Sequence, residues 1–160
     1  DVYKRQGRKD LGFIWDPLRD VSMILNATWA ESEVRAPKES TLEVQTNDVR
    51  KLQGQPDLIV NASLEYAHPR YGTARVLYNT IDDRIASVGT FGLPDIIEER
   101  RDQVDAMVVL PLDHWLGQPL SFKFSAKNIL NGAVRFIQGS EVQQTYTNGV
   151  SFGASLTYSR

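Results

Sequence analysis

The sequence contains no cysteine. That excludes a disulfide framework, a thiolate nucleophile and a cysteine-ligated metal. It has only two histidines, His68 and His114, both in expected short turns and without the partner spacing of a metal site. No stretch approaches the ~18 apolar residues of a spanning helix. The longest apolar run near the start, Leu11 to Trp15, is interrupted by Gly12 and followed by Asp16-Pro17. Asp1 to Gln6 is charged and lacks the apolar region of a signal peptide. Charge of either sign is not in excess: 18 Lys+Arg face 20 Asp+Glu, a formal net charge of -2. No nucleic-acid partner is expected from that balance. No segment carries a convincing 3.6-residue period. There is no phosphate loop, dinucleotide fingerprint or nucleophile elbow. The adjacent carboxylates Asp82-Asp83 and Glu98-Glu99 would point to opposite faces of a strand, so neither forms an acid/base dyad. The chain is therefore not expected to be an enzyme, and no catalytic residue, metal or cofactor is assigned.

What is present is alternation. Val150, Phe152, Ala154, Leu156 and Tyr158 fall on one face of an expected strand, and Ser151, Gly153, Ser155, Thr157 and Ser159 on the other. An apolar face opposed to a small polar one is what a half-buried strand requires. Leu120, Phe122, Phe124 and Ala126 oppose Ser121, Lys123, Ser125 and Lys127 in the same way. So do Leu58 to Tyr66 and Val21 to Trp29, with Ile59 and Ile24 as exceptions. Ala74 to Thr80 has Leu77 out of place, and Val104 to Leu110 is blurred by Met107 and Val109. The expectation is an all-β, antiparallel meander of about seven strands, the first incomplete. Asp1 to Gln6 matches nothing downstream in style; it is read as a non-native or assembly-junction leader, with residues 7–160 as the folded part.

The connections alternate between short and long. Asp16 to Arg19, Ala67 to Gly72 and Pro111 to Gly117 are short and punctuated by Pro or Gly. Ser32 to Gln55 and Ser87 to Arg101 are long and polar, and Gly139-Ser140 marks a tight link between two long strands. Trp15, Tyr66, Tyr71, Trp115 and Tyr158 all lie near the short-turn ends, with Trp29 and Tyr78 as candidates for a second belt. Strands of ~10 residues, apolar outside and polar inside, with unequal connections and aromatic girdles, describe an outer-membrane barrel. A soluble β-sandwich, such as a carbohydrate-binding module, and a different outer-membrane barrel, such as a porin or adhesin, are the alternatives.

Local motifs narrow this reading. Leu52-Gln53-Gly54-Gln55, followed by Val60-Asn61, resembles the LQGQ-x-x-x-x-VN segment late in the barrels of TonB-dependent outer-membrane receptors. Val76-Leu77-Tyr78-Asn79 is similar to that family's LLYN strand. Ala126-Lys127-Asn128-Ile129-Leu130-Asn131 resembles its penultimate-strand K-N-L-L-D motif, and Val134-Arg135-Phe136 with Gln138-Gly139 continues it. Gly149 to Tyr158 resembles the closing strand. The matches are collinear from Gly7 to Arg160. One departure is the ending: the family closes on an aromatic residue, whereas this chain reads Tyr158-Ser159-Arg160.

The resemblance implies the C-terminal part of a barrel of ~22 strands closed by a plug domain that this sequence does not include. At roughly 23 residues per strand and connection, a whole barrel needs about 500 residues, so the sequence corresponds to its last third. The implied function is energised uptake, across the outer membrane of a Gram-negative bacterium, of a scarce ligand such as an iron–siderophore complex. The implied partners are the TonB complex through the plug, outer-membrane lipid and lipopolysaccharide, and the barrel-assembly machinery. Candidate ligand contacts are Arg50, Lys51, Gln53 and Gln55 in the first long connection, Arg100, Arg101 and Asp102 at the end of the second, and the tip near Gly139. Val150, Phe152, Ala154, Leu156 and Tyr158 are expected to face lipid.

Overall fold

The structure, a computed structural model, describes residues 1–12, 18–35, 46–47 and 49–159. Trp15, Asp16-Pro17, much of the first long connection and Arg160 lie outside the described residues. With 64% of the described residues in strands and 3% in helix, the protein is all-β. The strands are β1 (Val2–Asp10), β2 (Val21–Ala30), β3 (Val34–Arg35), β4 (Val49–Arg50), β5 (Leu58–His68), β6 (Gly72–Ile81), β7 (Arg84–Ser87), β8 (Ile96–Glu98), β9 (Arg101–Pro111), β10 (Leu120–Lys127), β11 (Ala133–Gln138), β12 (Glu141–Thr147) and β13 (Ser151–Tyr158). A single turn of helix, α1 (Asp113–Leu116), sits between β9 and β10.

Seven strands make one antiparallel sheet in the order β1-β2-β5-β6-β9-β10-β13. The expected meander is present with the expected number of strands. The sheet is open, with β1 and β13 at its edges. Val2 to Gln6, set apart as a leader in the sequence, pair with Ala30 to Asn26 within β1.

The tight link at Gly139-Ser140 is also present, but the strands it joins are β11 and β12, not two unbroken long ones. Four strands of the main sheet stop at one level and resume beyond it. β6 continues as β7 after residues 82–83, β8 leads into β9 across residues 99–100, β10 resumes as β11 after 128–132, and β12 passes into β13 through 148–150. The continuations form a second sheet in the order β12-β11-β8-β7, matching β13-β10-β9-β6 strand for strand.

The residues at the break explain it. Asn128, Asn131 and Gly149 have φ of 56°, 47° and 77°, a left-handed conformation that interrupts a ladder and that Asn and Gly tolerate best. Side chains replace the missing ladder bonds. Asp105 Oδ1 accepts from the Asn128 amide at 2.8 Å and from Gln103 Nε2 at 3.0 Å. Asn128 Nδ2 donates to the Gly149 carbonyl at 2.7 Å, and Asp83 accepts from the Arg100 amide.

On the other side of the main sheet the connections are short. The turn from β5 to β6 closes at Gly72, whose φ of 95° lies outside the range other residues adopt readily. A Cβ there would run into the Val109 carbonyl of β9 and approach Pro111 Cδ at 2.7 Å. We expect Gly72→Ala to destabilise the protein by about 2–4 kcal/mol through backbone strain and overpacking. Gly7→Ala, which meets open space, should change stability by less than about 0.5 kcal/mol. Urea unfolding of the two variants checks the contrast, and equal effects would contradict the close approach of β6 to β9.

Candidate functional site

Cross-strand register sorts the side chains of the main sheet. On β2 and β5, Val21, Met23, Leu25, Ala27 and Trp29 stand opposite Tyr66, Leu64, Ala62, Val60 and Leu58. On β6 and β9, Ala74, Val76 and Tyr78 stand opposite Val108, Ala106 and Val104. Phe122, Phe124 and Ala126 of β10 lie between Leu110, Val108 and Ala106 on one side and Leu156, Ala154 and Phe152 on the other. One continuous apolar face thus runs across six adjacent strands, β2, β5, β6, β9, β10 and β13. β1 departs from it, placing Arg5 and Lys9 opposite Ala27 and Met23.

Nothing in the described residues covers this face. Phe152 is 70% exposed and Leu156 63%. Met23, Leu25, Trp29, Leu64, Val76, Phe124 and Tyr158 are exposed as well. Among the described residues, the buried apolar ones are Ala30, Ile85, Ala126 and Val134, and no large side chain is fully buried. Water-exposed apolar area on this scale marks an interaction surface. Of the expected lipid-facing residues, Phe152, Ala154, Leu156 and Tyr158 share this face, and Val150 lies just before β13.

The opposite face is polar, and several of its side chains pair with one another. Glu65 is 7% exposed and is held by Arg75 directly across the β5–β6 pair, with Nε at 2.6 Å, and by Arg8 at 3.4 Å. Two guanidinium groups compensate the desolvation of one carboxylate. Asn79 Nδ2 donates to Asn61 Oδ1 at 2.6 Å. Ser121, Lys123, Ser125 and Lys127 face Thr157, Ser155, Gly153 and Ser151. The stray apolar side chains of the sequence pattern, Ile24, Ile59, Leu77 and Met107, lie on this face too.

The candidate ligand residues separate by location. Lys51 is ion-paired with Asp57. Gln53 Nε2 donates to the Ala86 carbonyl at 2.8 Å, and beside it the Gly54 amide donates to Ile85 at 2.8 Å. These contacts tether residues 53–54 to the β7 edge of the second sheet. The Gln55 amide closes a turn onto Leu52 at 3.2 Å, and Arg50 stands opposite Val34 in the β3–β4 pair. Arg100 and Asp102 are brought together: Nη2 lies 3.2 Å from Oδ1, and the Tyr78 hydroxyl donates to the same oxygen at 2.7 Å. Hydrogen bonding to Tyr78, and then to Asp102, raises the Arg100 pKa above its ordinary value, so the group stays cationic. Asp102 lies opposite Thr80, which places this cluster at the upper border of the apolar face. Arg101, opposite Ile81, belongs to the polar face.

The reading of single residues in the sequence did not pick out Phe91. It is 83% exposed with φ of 53°, next to Gly92 at 82°, and the Leu93 amide bonds the Thr90 carbonyl at 3.0 Å. These angles make a type I′ turn, in which Asn, Asp or Gly normally fill the position of Phe91. The base of the turn is fixed from three connections. Asp95 accepts from Asn47 Nδ2 at 3.2 Å and from the Gly89 amide at 2.7 Å, and Gln138 Nε2 donates to the Pro94 carbonyl at 2.9 Å. The Phe-Gly pair inside a long polar connection was the available signal.

A scan against protein-family models finds no match, and searches of curated proteins and of solved structures find none either.

Because Phe91 holds a strained backbone without burying its ring, Phe91→Asn should raise stability by about 1 kcal/mol. Thermal unfolding of the variant measures this. A fall in stability would show that the ring contributes packing that outweighs the strain.

Proposed function

We propose that this sheet is part of the wall of a TonB-dependent outer-membrane receptor, which takes up a scarce ligand such as an iron–siderophore complex with energy delivered by the TonB complex. The observation that carries the membrane part is the uncovered apolar face across six strands. A soluble sandwich would need a second sheet over that face, and no described element covers it. The dimensions agree with a bilayer. The eleven residues of β5 extend over roughly 36 Å; tilted by about 45°, they cross about 25 Å, the height of the apolar band of an outer-membrane barrel.

The two ends of the sheet support the same reading. Short connections carry Tyr66, Tyr71, Trp115 and Tyr158 at one end, where an aromatic girdle would meet headgroups. Long connections fold into a second sheet at the other end, as the wall of an extracellular vestibule would. The polar face, with its Arg8–Glu65–Arg75 cluster, would line the lumen. The order and spacing of the LQGQ, VLYN and KNILN segments support a TonB-dependent receptor over a porin or adhesin. In this reading the receptor transforms no substrate. Its ligand would meet the long connections, where Phe91 stands exposed, and the plug would pass the TonB signal.

The reading is tested on the reconstituted full-length protein, in which further strands can close the barrel. A membrane barrel requires detergent and shows heat-modifiable gel mobility. A spin label at Phe152 should report lipid and one at Ser155 water. Phe152→Arg should cost about 2–4 kcal/mol if it lies near mid-bilayer, and Ser155→Arg much less. A protein monodisperse in plain buffer, or labels with reversed accessibility, would overturn the reading.

A further inference from the structure

The turns at the short-connection end hold a cavity that the transport reading does not use. It measures about 350 Å³ and is lined by Arg70, Tyr71, Leu110, Pro111, His114 and Trp115. Two neighbouring connections build it. Arg70 and Tyr71 come from the β5–β6 turn, and His114 and Trp115 come from α1 in the β9–β10 connection. The cavity forms because β6 and β9 are hydrogen-bonded neighbours.

Its chemistry is divided. Leu110 pairs with Phe122 and belongs to the apolar face, so the floor of the cavity continues the apolar band. Above that floor stand one cation and one imidazole. The Arg70 guanidinium has no ion pair or hydrogen bond among the described residues. Its backbone amide donates to His68 Nδ1 at 3.1 Å, which pins the turn. His114 stands beside Asp113, with Nδ1 3.8 Å from the carboxylate; its other ring nitrogen, when protonated, can donate to an anion. Tyr71 is held by stacking on His68 at 4.6 Å, which in turn stacks on Tyr66 at 6.4 Å. Trp115 is 79% exposed. Amphipathic rings of this kind favour the headgroup level of a bilayer.

From this geometry we infer a phospholipid site: Arg70 and His114 bind the headgroup phosphate of a lipid in the leaflet on the short-connection side. Tyr71 and Trp115 border the glycerol region, and Leu110 meets the first methylenes of the acyl chain. A planar guanidinium suits a phosphate because it offers paired donors. The apolar floor beneath the donors favours a lipid over a free phosphate ion. This inference rests on the membrane reading, since only a bilayer would supply the lipid at this height.

Native mass spectrometry of the full-length protein, released from detergent micelles, tests it. The micelles carry equal amounts of phosphatidylglycerol and a diacylglycerol with the same chains. The protein should retain the phosphatidylglycerol and not the diacylglycerol. The double variant R70Q/H114Q should lower that retention about tenfold while keeping heat-modifiable mobility, and Lys123→Gln, on the polar face, should leave it unchanged. Retention unaffected by R70Q/H114Q in a folded, detergent-requiring protein would overturn the site and leave the barrel standing. Displacement of the lipid by millimolar inorganic phosphate would also overturn it, by assigning the pocket to a free anion. A protein that needs no detergent and retains no lipid would fail the membrane reading and the site together.

Discussion

The arrangement depends on register. Side chains alternate along each strand, so two neighbouring strands present one common apolar face only if their pairing is in phase. Across six strands here the pairing is in phase at every step, from Met23 opposite Leu64 to Phe122 opposite Leu156. A slip of one residue at any interface would drive Lys123, Glu65 or Arg75 onto the apolar side. The polar face resists such a slip as well. Glu65 and Arg75 are directly opposed on β5 and β6, and Asn61 bonds Asn79 four residues along the same pair. These contacts are specific to one register, whereas apolar contacts tolerate several. The polar face thus fixes the alignment that makes the apolar face continuous.

Most of the main sheet was legible in the sequence because the signal for it is local. A period of two over eight to eleven residues identifies a strand and its faces without knowledge of its neighbours. Ile24, Ile59, Leu77 and Met107 blurred the pattern, and the structure places all of them on the polar face. A polar face need only avoid being uniformly apolar, so isolated exceptions do not disturb it. The breaks at 82–83, 99–100, 128–132 and 148–150 were not legible, because the alternation carries on past them. They depend on the left-handed backbone of Asn128, Asn131 and Gly149 and on Asp105 reaching across to the Asn128 amide. The separation of Arg100 and Asp102 from Arg101 was missed for a related reason. Three consecutive charges read as one loop cluster until β9 is seen to begin at Arg101 and parity divides them.

The line of breaks lets one stretch of chain belong to two environments. Below it, ladder bonds are regular and one face of the sheet is apolar. Above it, charges are paired, Arg84 of β7 with Glu98 of β8 and Arg135 of β11 with Glu99 at the break, which cost little where water is present. A sheet that ran unbroken would have to continue the twist and curvature of the lower part. The kinks release that constraint, so the upper sheet can follow its own path and gather the long connections around Asp95 and Gln138. A rigid base of this kind gives an exposed turn such as Thr90 to Leu93 a defined position.

Among the described strands, β1 and β13 each have a neighbouring strand of the main sheet along one side only. In water such an edge invites aggregation, and within hydrocarbon each unsatisfied group costs several kcal/mol. The apolar face prefers hydrocarbon, while the edges forbid it unless they are paired. Both demands are met when further strands continue the sheet around to close it. Within the receptor reading, closure is a condition for the apolar face to meet lipid at all. Among the described residues, the buried apolar side chains are Ala30, Ile85, Ala126 and Val134, a small core for a sheet of seven strands. Stability would therefore come from the closed ring of ladder bonds and from lipid packing outside it, with the interior left polar.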